Sequence, residues 1–306
     1  MTSLVTGGAG FIGSMLCRRL TESGERVVVV DDLSVGRREH IACLHPQVSL
    51  IETDIRDAAA LRDVFATVRP EVVYHLAAIH FIPYCNQHRD ETLATNVVGT
   101  SNVLEACRQT QPEVVILASS AAVYAISDRP HGEETSAVQP VDVYGVSKLF
   151  VEELGKLYAS ETERRCVAVR IFNAVGPNET NPHLVPHLVE QLKEGMAAVA
   201  LGNVEPCRDY INTRDLADAL IRLAQTDGRG FDVFNVGSGQ EHSVRQIVAL
   251  CGRILGREIR IDQKAELMRE VERMHLCASI EKITAATGWQ PKATLQETLG
   301  DLLADG

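Results

Sequence analysis

The stretch Leu4-Val5-Thr6-Gly7-Gly8-Ala9-Gly10-Phe11-Ile12-Gly13 decides the fold of this 306-residue chain. Residues 2–6 read as a short apolar strand, and the glycines then turn the chain into a helix that carries Met15, Leu16 and Leu20 and stops at Gly24. Strand, glycine turn and helix in that order build a dinucleotide site. Gly7 permits the tight turn, Gly10 lets backbone approach a pyrophosphate, and Gly13 lets the helix pack closely on the strand. The amides around Phe11 and Ile12, at the start of the helix, are placed to hold the phosphates. The next strand, residues 26–30, runs into Asp31-Asp32, and Asp31 lies 18 residues beyond Gly13. That is near the spacing of the carboxylate that accepts the adenosine ribose hydroxyls. An acid there repels a 2′-phosphate, so NAD is expected over NADP. Arg37 and Arg38, in what reads as a solvated loop, are close enough to weaken that preference.

Strands and helices keep alternating. Residues 48–52 read as a strand ending at Thr53-Asp54-Ile55, and Leu61, Val64 and Phe65 mark a helix. Residues 72–76 form another buried strand, which ends in Ala77-Ala78, small enough for close backbone approach to a cofactor. Residues 92–109 read as a long helix containing Asn96, and residues 114–117 as a strand ending at Ser119-Ser120. A helix over 143–160 and a strand over 166–172 follow. The expected fold is α/β, a doubly wound parallel sheet with ligands at the carboxyl ends of its strands. Beyond Asn173 the elements become shorter, as in a smaller substrate lobe. The expected division gives residues 1–173 and about 207–238 to the nucleotide-binding domain, and 174–206 and 239–306 to the lobe.

The chemistry is expected at Tyr144-Gly145-Val146-Ser147-Lys148. Four residues are about one helical turn, so Tyr144 and Lys148 share a face. A lysine ammonium there is expected to favour the phenolate and lower the tyrosine pKa from about 10.

Composition limits the alternatives. A net charge of −11 argues against a nucleic-acid or anionic-membrane surface, while leaving room for a local basic pocket. The eight cysteines, among them Cys17, Cys107 and Cys166, form no close pair of the kind a zinc or redox motif uses, and no metal is implied. They read as reduced thiols in the core. No run approaches the roughly 18 apolar residues of a membrane span, and no basic-then-apolar leader opens the chain, so a cytoplasmic protein is expected.

With these residues in hand, the chain resembles the extended short-chain dehydrogenase/reductase family and, within it, the NAD-dependent nucleotide-sugar epimerases and dehydratases. The resemblance runs through Thr6–Gly13, Asp31-Asp32-Leu33-Ser34, Asp54-Ile55, His75-Leu76-Ala77-Ala78, Asn96, Ser119-Ser120, Tyr144-x-x-x-Lys148, Arg170-Ile171-Phe172-Asn173, Arg208-Asp209-Tyr210-Ile211 and Asn235-Val236-Gly237-Ser238. It implies tightly held NAD, with Asp54 and Ile55 near the adenine and Lys148 on the nicotinamide ribose. Asp32, Ser34, Leu76, Asn96, Ser119 and Phe172 join the implied cofactor set. Asn173 and Arg208 are implied to contact the substrate diphosphate, with Val185 also on the substrate side. Related enzymes are commonly homodimers, joined through the helices that contain Asn96 and Tyr144.

Residues 120–122 discriminate between reactions. Dehydratases of the family resemble one another in carrying Thr-Asp-Glu there, because elimination needs an acid and a base, and the decarboxylating relatives keep the glutamate. Here the run is Ser120-Ala121-Ala122, and alanine transfers no proton. The resemblance therefore implies a 4-epimerase acting on a nucleotide sugar, a UDP-hexose by expectation. Tyr144 would take the 4-hydroxyl proton directly or through Ser120, and a transient 4-keto sugar would turn in the pocket. A reductase of the same fold, or a nucleotide-sensing protein without catalysis, would share part of this pattern. Retention of Ser120, Tyr144 and Lys148 argues against the second.

Some positions depart from the pattern. His80 stands where the galactose epimerases have a lysine, and either a substrate contact or a satisfied loop histidine fits it. Arg269 is displaced from the family's phosphate-binding arginine, and Met274 falls where a bulky tyrosine sets sugar size.

Overall fold

The computed structural model describes residues 1–267 and 273–304. Among these, a seven-stranded sheet is built from β1 (Thr2–Thr6), β2 (Arg26–Asp31), β3 (Val48–Glu52), β4 (Val72–His75), β5 (Val114–Ser120), β6 (Arg165–Ile171) and, later in the chain, β10 (Gly230–Val236). Their order is β10-β6-β5-β4-β1-β2-β3, and every neighbouring pair is parallel. A parallel sheet is covered on both faces, which is why Val27, Val28, Val29 and Val30 are all buried rather than alternating in and out. On one face the helices Phe11–Glu22 and Thr213–Ala224 bury Leu16, Leu20, Leu216 and Leu220 against the strands. On the other, the helices Ala58–Val68, Thr100–Thr110 and Val143–Thr162 bury Leu61, Phe65, Leu104 and Tyr158.

Strand order reverses between β1 and β4, which lie side by side although two strands separate them in the chain. Connections leave in opposite directions there, and a crevice opens above the carboxyl ends.

Smaller sheets sit over that crevice. Strand β7 (Asn173–Val175) pairs with β9 (Cys207–Asn212), which pairs antiparallel with β11 (Glu241–Ser243), while β8 (Ala198–Leu201) pairs with β12 (Arg260–Gln263). The sequence division grouped residues 207–238 with the nucleotide-binding domain. The pairing splits that segment: β9 joins the small sheet, and only the helix Thr213–Ala224 and β10 join the large one. A strand takes the partners that complete its hydrogen bonds, and β9 finds them in β7 and β11.

The long helix around Asn96 also differs from expectation. Residues Ala94–Gly99 are π-helical, between the α-helical Arg89–Leu93 and Thr100–Thr110. A π segment rotates the side chains that follow it, and it is a feature often met at functional sites.

Candidate active site

The crevice begins where main chains meet. Gly7 has φ +71°, and a Cβ on it would lie 2.7 Å from the Ala77 nitrogen. Gly13 is tighter still, since its Cβ would lie 2.1 Å from the Gly7 carbonyl oxygen. The glycine turn, the end of β4 and the first helix thus touch backbone to backbone. The helix Phe11–Glu22 has no side-chain cap and no acidic residue in its first turn, so its leading N–H groups point outward for an anion. This cradle fits the pyrophosphate of a dinucleotide.

Above it lies a cleft of about 1860 Å³. It is lined by Gly7, Gly10, Phe11, Ile12 and Gly13 at one end and by Asn173, Val185 and Arg208 at the other. Asp31 closes β2 with both carboxylate oxygens fixed, one accepting from the Ala9 N–H and one from the Leu33 N–H, each at 2.9 Å. Burial pushes its pKa up, and those two hydrogen bonds oppose the rise. Asp32 and Ser34 form the rim, with the Ser34 hydroxyl donating to Asp32 at 2.6 Å. Asp54 also lines the cleft, and its hydrogen bond with Arg56 holds its carboxyl below the usual range. Ile55, Leu76, Ala77 and Ala78 complete the nucleotide wall.

The cleft narrows at Ser120, Tyr144 and Lys148, which converge from the end of β5 and the start of the helix Val143–Thr162. Asp142 caps that helix, accepting the Gly145 N–H at 2.7 Å. The Lys148 ammonium donates to the Ala118 carbonyl at 2.8 Å and sits 5.9 Å from the Tyr144 ring centre. Ser120 accepts the Ala122 N–H at 3.1 Å, and its hydroxyl lies close enough to the Tyr144 phenol to act on its pKa.

The expected drop in the Tyr144 pKa is not found. Burial pushes it well up, opposed by the neighbouring Ser120 hydroxyl. The lysine is itself desolvated and pushed down to about 8. A charge that burial destabilises, and that is spent on a carbonyl, offers the phenolate little. In this arrangement the phenol holds its proton.

Two residues assigned to the cofactor do other work. Asn96 does not line the cleft. It is buried and clamps the chain after β4, accepting the Ile79 N–H at 2.8 Å and donating to the Ile79 carbonyl at 2.9 Å and to Ser147 at 3.0 Å. The π segment supplies its direction. Ser119 does line the cleft, but its hydroxyl donates to Glu152 at 2.5 Å. Glu152 pairs with Arg170 at 2.7 Å in the buried layer beneath.

At the sugar end, Phe172 packs with Ala121 and Leu276, and β7–β9 pairing sets Asn173 beside Tyr210, two residues from Arg208. His80 lines the cleft with its ring 5.6 Å from that of His183, and burial pushes its pKa down to about 4 against the pull of Glu179. It is a neutral imidazole, where the galactose epimerases resembled by this chain have a cation. Arg269 lies outside the described residues. Met274 is exposed and does not face the cleft, whereas Leu276 does. Sequence reading missed Arg273, Glu179 and His183, all of which line the cleft from loops whose course no periodicity reveals. The free cysteines are mostly buried, and among the described residues no helix is long and apolar enough to cross a membrane.

Together, the parallel sheet, the glycine cradle and the Ser-Tyr-Lys set define a nucleotide-cofactor enzyme class. Residues 3–237 match the NAD dependent epimerase/dehydratase family, and the chain belongs to it. NAD is the cofactor of that family. The UDP-glucose 4-epimerase of Corynebacterium glutamicum is 31% identical over 315 residues, covering 98% of this chain and 93% of its own. The crystal structure of UDP-glucose 4-epimerase from Brucella ovis in complex with NAD superposes with a TM-score of 0.90 at 30% identity, covering 99% and 97% of the two chains. That of the Thermotoga maritima enzyme with UDP-glucose gives 0.89 at 28% identity, covering 99% and 97%.

Proposed function

We propose that this chain is an NAD-dependent nucleotide-sugar 4-epimerase, acting on a UDP-linked hexose through a transient 4-keto sugar. The observation that carries this reading is the Ser120-Ala121-Ala122 turn, where Ser120 meets Tyr144 and neither alanine offers a second acid or base. When bound, NAD supplies the two-electron acceptor and donor, and a positive charge that favours the phenolate. Gly7, Gly10, Gly13 and the helix amides would hold its pyrophosphate, Asp31 and Asp32 the adenosine ribose, and Asp54 and Ile55 the adenine side. Ser120 and Tyr144 take the proton from the sugar 4-hydroxyl when it is oxidised, and return it when the ketone is reduced on its other face. Lys148 fixes the geometry through the Ala118 carbonyl. Asn173 and Arg208 would face the diphosphate, Arg208 presenting a guanidinium suited to phosphate.

A homodimer is part of the proposal. The helix Val143–Thr162 turns Tyr144 and Lys148 inward and leaves Val146, Phe150 and Leu157 exposed, with Leu93 and Val98 exposed on the helix beside it. Light scattering at micromolar concentration should report a dimer, and a monomer would remove this part.

Incubating the purified protein with UDP-glucose and with UDP-galactose, and following the anomeric protons by NMR, tests the reaction. Interconversion without net consumption of NAD or NADH is expected. Turnover that depends stoichiometrically on added NADH or NADPH would replace the epimerase with a reductase.

A further inference from the structure

Arg273 lines the cleft from a segment that β9 holds in place: the Cys207 N–H donates to the Met274 carbonyl at 2.7 Å and the Asp209 N–H to the Leu276 carbonyl at 2.9 Å. Its guanidinium reaches the reaction end, where Nη2 donates to the Ala122 carbonyl at 3.4 Å. Nη1 is buried and has no hydrogen-bond partner among the described residues. Asp142 stands near enough to favour the charge, but its carboxylate caps the catalytic helix and makes no ion pair with Arg273 among the described residues. Arg208 and burial both oppose the charge. A guanidinium cannot shed its proton at neutral pH, and leaving a donor of a charged group buried and unpaired is costly. A neutral hexose offers it hydroxyls only, whereas a carboxylate matches its fork.

We propose that Arg273 determines sugar specificity: the substrate is a nucleotide-linked uronic acid, and the guanidinium pairs with its carboxylate. The proposal rests on the nucleotide-sugar reading and narrows it to an acidic sugar. The position of the group favours the sugar over the diphosphate, because Nη2 is anchored one residue from Ala121 and two from Ser120, in the turn that carries the proton-transfer hydroxyl. With alanines at 121 and 122, that turn brings no carboxylate to compete for Arg273.

Calorimetry on the purified NAD-containing protein with UDP, UDP-glucose and UDP-glucuronic acid tests this, with NMR of the same mixtures reporting configuration at C4. The wild type should bind UDP-glucuronic acid about tenfold or more tightly than UDP-glucose. Arg273→Met should abolish that preference while the affinity for UDP stays within about twofold, and Arg273→Lys should retain part of it. Absence of any preference in the wild type would overturn the proposal, whether or not the variants fold. So would an equal loss for all three ligands in Arg273→Met, which would place the guanidinium on the diphosphate. Preferential binding without change at C4 would instead sink the epimerase reading and leave the role of Arg273 standing. Epimerisation of UDP-glucose with no preference for the acid would do the reverse.

Discussion

At the pyrophosphate cradle the ligand-facing surface is main chain, and at the sugar end it is side chain carried on segments far apart in sequence. Gly7, Gly10 and Gly13 belong to one turn, and they work by what they lack: a Cβ at Gly13 would meet a carbonyl oxygen at 2.1 Å. His80, Asn173, Val185, Arg208 and Arg273 come from five stretches, brought together by β7–β9 pairing and by the hydrogen bonds that tie residues 274–278 to the backbone and the Asp209 carboxylate of β9. A surface made of backbone can bind only what every family member binds. A surface made of side chains can be changed one residue at a time, so cofactor and substrate are written in different ways.

Several measurements would break or sharpen this contrast. The largest effect is expected from Gly13→Ala. The added methyl group meets main chain that cannot swing aside, so the purified variant should carry no NAD when its released ligands are weighed by mass spectrometry. Wild-type NAD content would show that the turn can open, and that its tight packing is not what makes the site.

Tyr144→Phe should follow, with turnover down by about a hundredfold to ten-thousandfold, the range of general acid–base contributions. UDP should still bind by calorimetry, because the phenol lies at the junction of the two ends. Undiminished turnover would transfer the proton step to another group.

Asn96→Ala probes the support of the nucleotide end. It would leave the Ile79 N–H and carbonyl without their buried partner, at a cost of about 1–3 kcal/mol in unfolding free energy. A denaturant midpoint unchanged from the wild type would mean that the clamp contributes nothing.

The smallest expected effect is on pH dependence. Lys148 is pushed down to about 8 by burial, so it is an ammonium below that value and neutral above it. Loss of the charge weakens the hydrogen bond by which Lys148 holds the Ala118 carbonyl, so the rate should fall modestly as pH rises through about 8, and Lys148→Arg, which keeps its charge, should move that fall to higher pH. A wild-type profile flat to pH 9 or so would show that the charge of Lys148 does not enter the rate.

Much of the sheet was legible because its signals are local. Apolar runs such as Val27–Val30, a glycine turn and Asp31 at the end of β2 lie within one βαβ span, and the spacing of Tyr144 and Lys148 lies within one helical turn. The motifs Asp209 and Asn235 were visible as letters, but their work was not. Asp209 accepts from the N–H groups of Ser238, Gly239 and Ala278, and Asn235 joins Tyr124 to the His131 and Ser279 carbonyls. They tie distant loops together under the sugar end, and no spacing rule anticipates such knots.

The same division holds for charge. The sequence by itself determined the parallel fold and the glycine turn of the cradle, and it pointed to Ser120, Tyr144 and Lys148 as candidates, because those depend on residues close in the chain or on the turn that one residue type permits. Only the tertiary structure decided the rest. Burial raised the Tyr144 pKa where helical spacing to Lys148 led to the opposite expectation, Asn96 was set as a clamp on Ile79, and Arg273 arrived beside Ala122 across about 150 residues of chain. Desolvation and long-range contact depend on what closes over a group, and that is set by the packing of segments the sequence keeps apart.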